Sequence, residues 1–294
     1  MGGYTTGIIT LLAINCVAAL GVSLFTGFTG IFTLGHAGYM AIGAYTAAIL
    51  TIQYSVHWLP AVVAGGLAAM VIAYLIGLPT LKLIGDYYTI ASLGLGEAIR
   101  LIIENWESVT RGARGYPGIE TYTTLPVALG FLVVMAIGMF FLVNSNYGRA
   151  FKACRDDYVA ASLLGFHTAR YRVLSLAISG FYCGVSGALL AGFMSFIQPV
   201  MFDMAKSTEL VSVVVFGGLG SMSGCILGTA VLTLVTELFR GVSQYRMLIY
   251  GLVLVLVMVL RPEGIMGTSE FSPRFVKGVF MRFARLTGWR KIGA

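Results

Sequence analysis

Few residues in this chain are equipped for covalent or acid–base chemistry. Its 294 residues include only three histidines, four cysteines and twelve Asp and Glu. Cys16, Cys154, Cys183 and Cys225 are far apart, and three of them lie in apolar runs. There is no CxxC pair, Cys/His cluster or disulfide framework, so no metal site is expected and the thiols read as small packing residues. The absence of a GxxxxGK[ST] phosphate loop excludes ATP hydrolysis by that route. No nucleophile–base constellation occurs, and no catalytic residue is assigned. Glu97 and Arg100, three apart and therefore on one helix face, can pair inside an apolar stretch. Ionisable side chains at membrane depth usually face a bundle interior and carry function. Glu104 and Trp106 equally suggest a membrane boundary, where the pair would only steady a helix end. His36 stands among glycines, as a hydrogen bonder at a helix end or as part of a path.

Charge concentrates instead in Asn144–Arg172, NSNYGRAFKACRDDYVAASLLGFHTARYR, which holds five of the 19 basic residues between two long apolar segments. Its middle, Arg149 to Leu164, has helical spacing. Ala150, Ala153, Cys154, Ala161 and Leu164 fall on one small-residue stripe, with Arg155, Asp156 and Asp157 pointing away from it. Gly165 supplies a helix stop. The stretch is either an ordinary loop or a docking helix, in which small residues let a partner approach closely and charges fix its register.

The elements that must position these residues are transmembrane. The chain is 58% hydrophobic and 11% charged, with a mean hydropathy of +0.89, against about 25% charged residues in soluble domains. Several apolar runs of about 18 to 22 residues are long enough to span a bilayer. The fold class is therefore an all-α polytopic membrane protein. The net charge of +7 sits at loop ends and in the tail, as topology requires, and does not point to nucleic acid. No basic segment precedes the first apolar run, so a cleavable signal is not expected.

The expected spans are 5–25, 36–53, 60–78, one starting near Tyr87, 125–143, 173–195, two short or broken segments within 208–238, and 247–260, about nine in all. Pro79 and Gly85 break the backbone before the fourth, and Asp86 is expected to cap it. Gln198, Pro199, Asp203, Lys206 and Glu209 read as an aqueous excursion. The tail to Ala294 interleaves basic and aromatic residues, as an amphipathic surface helix would. With 144–172 and the tail in the cytoplasm, Lys82, the five basic residues of the stretch and the seven from Arg261 onward lie inside, thirteen in all. Five lie outside, which places the N-terminus outside and the C-terminus in the cytoplasm.

Two glycine clusters recur with similar spacing, within 27–43 and 217–228, and suggest a weak internal repeat. Such backbone either lines a translocation path or lets helices pack closely. The path candidates are Gly30, Gly35, His36, Gly38, Gly94, Glu97, Gly217, Gly218, Gly220 and Gly224.

Four stretches occur in the order found in one family: GFTGIFTLGHAGYMAIGAY (27–45), LPTLKLIGDYYTIASLGLGEAIRL (78–101), GRAFKACRDDYVAASLLGF (148–166) and VVFGGLGSMSGCILG (214–228). LRPEGIMG (260–267) closes the last span. Together they resemble the permease subunits of branched-chain amino acid ABC importers of the LivM type. The loop after Thr110, RGARGYPGI, departs from the family's glycine-rich pattern. The resemblance implies a permease domain over 1–267, a cytoplasmic coupling loop over 145–172 that seats in an ATPase, and a basic cytoplasmic tail over 268–294. The coupling residues it implies are Gly148, Arg149, Ala150, Ala153, Arg155, Asp156, Asp157, Ala160, Ala161 and Gly165. It further implies alternating access in the inner membrane with four kinds of partner: a second related permease, two ATP-binding subunits, an extracytoplasmic solute-binding protein and membrane lipid. ATP and Mg would be bound by the ATPase subunits, with no cofactor on this chain. The cargo would be branched-chain or related hydrophobic amino acids. Permeases for urea or short amides look similar, and a secondary transporter or channel without an ATPase is the reading from another class.

Overall fold

The computed structural model describes residues 2–83 and 85–238, with Gly251, Val255 and Gly264. The basic tail, and all of the expected 247–260 span except Gly251 and Val255, lie outside the described residues. The chain folds into helices α1 (Gly2–Val22), α2 (His36–Gln53), α3 (Trp58–Thr80), α4 (Asp86–Asn105), α5 (Glu107–Thr110), α6 (Leu125–Asn144), α7 (Asn146–Asp156), α8 (Tyr158–Leu163), α9 (Thr168–Met194), α10 (Met204–Gly217) and α11 (Met222–Leu238). A π-helical turn, Ser23–Phe28, extends α1. Four of the described helices are long and apolar enough to cross a membrane, and the pair α10–α11, bent by 120° at its break, makes a fifth candidate.

Helix α1 is apolar on every side, and Ala13 to Leu20 are almost completely buried. A helix with no polar face belongs in the centre of a bundle. It packs there against α9, α6 and α11, and α2 and α3 pack on α9 and on each other. The outward faces of α3 and α6 carry Leu67, Val71 and Leu75, and Val133, Val134 and Phe141, all exposed as lipid-facing side chains are. Polar groups in the interior cross between helices. Ser186 Oγ donates to the Ile14 carbonyl (2.8 Å), and Tyr182 Oη to that of Met135 (2.9 Å). Small residues bring backbones together: a Cβ on Gly43 of α2 would overlap the Gly184 backbone of α9. This is how membrane helices associate where burial of apolar surface gives no net drive.

The two ends of the bundle differ. At one, Tyr116–Pro117 (β1) pairs antiparallel with Phe196–Ile197 (β2), which pins the 107–124 loop to the end of α9. Gln53 Nε2 donates to Tyr116 Oη (3.0 Å), and Trp58 stacks on Tyr122 at 5.8 Å. At the other end lie α7, α8, the 28–35 segment and the break between α10 and α11.

Most expected boundaries agree with the structure to within a few residues, and α2 occupies the expected 36–53. Two local expectations are corrected. Asp86 does not cap α4: Gly85, at φ +61, is the N-cap, and Asp86 is the first helical residue. Lys206 and Glu209 are not in an aqueous loop. Asp203 caps α10 by accepting from Lys206 N (3.0 Å), and this starts the helix early enough to carry both charges inside it.

Candidate functional site

The 145–172 stretch folds into a compact knuckle. Ser145 caps α7, accepting from Gly148 N at 3.5 Å. Gly148 lies so close to the Val143 backbone that a side chain would clash. The expected single helix over 149–164 is broken at Asp157, whose backbone is extended (φ −158, ψ 109). Its carboxylate accepts from Val159 N (2.8 Å) and Ala160 N (3.1 Å) and so starts α8 as a separate turn. Gly165, at φ +88, ends α8 as expected. Gly165 N donates to Ser162 O and Phe166 N to Ala161 O, the double bond of a Schellman motif.

This break overturns the single small-residue stripe. Ala150, Cys154 and Ala161 are buried in the protein's own body, Ala153 is half-buried, and Leu164 is 77% exposed. Burial pushes the Cys154 thiol above its ordinary pKa. The face turned outward is instead Tyr158, Val159, Ala160, Leu163 and Leu164, with Leu163 83% exposed. Arg149, Asp156 and Asp157 of the same stretch are also exposed.

Arg155 does not point away from the body. Its stem crosses Gly30, where a Cβ would stand 2.6 Å from Arg155 Cγ. Its Nη1 reaches the Gly27 carbonyl (3.4 Å) and lies 2.7 Å from where a Gly220 Cβ would be. The guanidinium also donates to Asp156 Oδ1 from Nε and Nη2, at 3.1 Å each. One side chain of α7 therefore touches both glycine-rich breaks. Gly30 (φ +76), Gly218 (φ +119) and Gly220 (φ +88) hold backbone conformations that side chains rarely adopt.

The other path candidates are spread out. Gly35 faces the Ser92 carbonyl and Gly38 the Gly96 backbone, so both seat α2 against α4. His36 is fully buried at the start of α2 and meets Ser179 Oγ of α9 at 2.7 Å, a hydrogen bond at a helix end, one of the two roles expected of it. Gly217 and Gly224 face each other backbone to backbone across the α10–α11 bend. Gly94 is exposed, with open space around it. Glu97 pairs with Arg100 (2.7 Å), as its spacing predicts, and its other oxygen accepts from Met204 N (3.0 Å) at the start of α10. Arg100 also meets Glu104 (2.7 Å). This cluster therefore braces α4 against α10.

Sequence reasoning missed a cavity. A hollow of about 330 Å³ lies between α1, the end of α9, α10 and α11, in the half of the bundle that holds β1 and β2. Asn15, Lys206 and Glu209 line it among leucines and methionines, and none of the path candidates does. The available signal was Lys206 and Glu209, three apart and followed at once by LVSVVVFG. Among the described residues no group of three or more His, Cys, Asp and Glu is placed to hold a metal.

A bundle with apolar outer faces, a capped knuckle at one end and a bent glycine-rich hairpin defines an all-α polytopic membrane protein. Residues 4–259 match the family described as the branched-chain amino acid transport system permease component, and the chain belongs to that family. It is 31% identical to the high-affinity branched-chain amino acid transport permease LivM of Escherichia coli K12, over 89% of this chain and 70% of that one. It is 30% identical to LivM of Salmonella typhimurium LT2, over 88% and 69%, and 26% identical to LivH of the same organism, over 89% and 94%. No solved structure matches the chain.

Proposed function

We propose that the chain is a permease subunit of an ATP-driven importer that moves branched-chain amino acids across the inner membrane by alternating access. Family membership and the printed function of its LivM and LivH relatives support the cargo and class. The similarity to both relatives supports pairing with a second, related permease. Two ATP-binding subunits, carrying ATP and Mg, and an extracytoplasmic solute-binding protein complete the importer, and this chain binds no cofactor. In this reading the chain has nine spans, with the N-terminus outside and 268–294 a basic cytoplasmic tail. The knuckle then faces the cytoplasm, and the β1–β2 end faces the binding protein.

The observation that carries the coupling role is the exposed apolar face of α8, beside an α7 tied to the interior through Arg155. A leucine pair standing free at the end of a bundle has the form of an interface anchor, an exposed apolar centre. A push on α8 moves α7, and Arg155 passes it to the Gly27–Gly30 and Gly218–Gly220 breaks. Leu163→Asp and Leu164→Asp, both at exposed positions, leave the fold intact and abolish co-purification with the ATP-binding subunits. Undiminished co-purification and uptake in both variants rules out α8 as the docking element.

A further inference from the structure

The cavity between α1 and α10 has the chemistry of a ligand site. Lys206 Nζ donates to Asn15 Oδ1 (3.2 Å) and to Glu209 Oε2 (3.1 Å), which leaves one N–H unengaged among the described residues. Glu209 Oε1 has no partner among the described residues either. Asn15 is 9% exposed and the Lys206 side chain 17%, while the Glu209 side chain, 45% exposed, sits at the mouth. Holding a largely buried cation among apolar helices is costly, and such a group usually faces a cavity it serves. Thr229 and Thr233 also line it, and the rest of the wall is apolar, with Leu11, Leu190, Leu210 and Leu232 among the lining residues. At about 330 Å³ the space falls at the small end of ligand sites, about 300–1,000 Å³.

We infer that this cavity binds an α-amino acid with an aliphatic side chain as a zwitterion, with Lys206 and Asn15 holding the carboxylate and Glu209 the ammonium. The leucine-lined wall takes the side chain. The inference rests on the proposed import function and deepens it by locating where this chain holds the cargo. A urea or short amide has neither two opposite charges for the Lys206–Glu209 pair nor an aliphatic chain for the wall. The site lies in the half of the bundle that the proposed orientation turns toward the binding protein, so it is a receiving site for released solute.

The test uses the complete complex, purified in lipid nanodiscs without its binding protein, and equilibrium binding of radiolabelled leucine and alanine. Lys206→Met and Glu209→Gln each weaken leucine binding about ten-fold or more, as loss of a charge-assisted bond implies. Leu11→Phe fills the apolar wall, so it weakens leucine far more than alanine. Uptake of leucine by the whole importer is measured alongside. If wild type imports leucine but its affinity is unchanged in all three variants, the site is overturned and the function stands. Should the two charge variants fail to assemble while Leu11→Phe leaves the leucine-to-alanine ratio unchanged, the pair is structural and the site is again overturned. A wild-type importer that carries no leucine overturns the function as well.

Discussion

Replacing Arg155 by Met keeps the stem over Gly30 and removes only the guanidinium. The bond it loses, to the Gly27 carbonyl, is long at 3.4 Å, and the side chain is 29% exposed. Its loss costs about 0.5–1 kcal/mol. The ion pair with Asp156, whose side chain is 69% exposed, adds close to nothing. Stability therefore falls by no more than about 2–4 °C in melting temperature. Transport responds differently, because Arg155 is the contact through which α7 reaches both glycine breaks. If that contact carries a coupling free energy of about 1–2 kcal/mol, amino acid moved per ATP hydrolysed drops about 5- to 30-fold. ATPase activity and co-purification stay near wild type. Arg155→Lys, with a charge but no fork of donors, falls between the two. The assay is leucine uptake and phosphate release measured on the same proteoliposomes. Uptake per ATP unchanged in Arg155→Met refutes the relay, and so does a loss of uptake that simply follows a loss of assembly.

Two further outcomes follow from the packing and the proposed topology. Ala113→Cys in the exposed 107–124 loop reacts with a membrane-impermeant thiol reagent from outside intact cells, and Ala160→Cys on α8 does not. The four native cysteines are buried and give little background, and the reverse labelling pattern inverts the orientation. Gly43→Ala drives a methyl into the Gly184 backbone and costs about 1–3 kcal/mol or more, while Gly94→Ala, in open space within a helix, is neutral or stabilising by about 0.5–1 kcal/mol. Thermal melting of the two variants checks this, and equal melting temperatures contradict the seam between α2 and α9.

The described helices were legible because apolar length is a strong signal, and the bend at 218–221 because glycine spacing is. The knuckle was legible in place but not in form. Helical periodicity runs on from Arg149 to Leu164, and only Asp157 marks the break, since a carboxylate that accepts two amide protons starts a new helix more readily than it continues an old one. Once α8 turns, Ala150 and Cys154 face inward and the leucines face out, so the exposed face differs from the expected one. The Glu97–Arg100 pair was readable from its spacing of three, and its contact with Met204 was not, because that contact joins residues 107 apart in sequence. Lys206 and Glu209 were mistaken for loop charges because a charge near an apolar boundary reads the same on either side of it. Asn15, far off in α1, is what shows that they face a cavity.

The central claim is that this chain moves branched-chain amino acids using ATP hydrolysed elsewhere. The direct measurement is uptake of radiolabelled leucine and urea into proteoliposomes containing the chain with its second permease, ATP-binding subunits and binding protein, with and without ATP. The account predicts leucine accumulation that requires both ATP and the ATP-binding subunits, with no accumulation of urea. Leucine movement that persists without the ATP-binding subunits contradicts it, as does accumulation of urea in place of leucine.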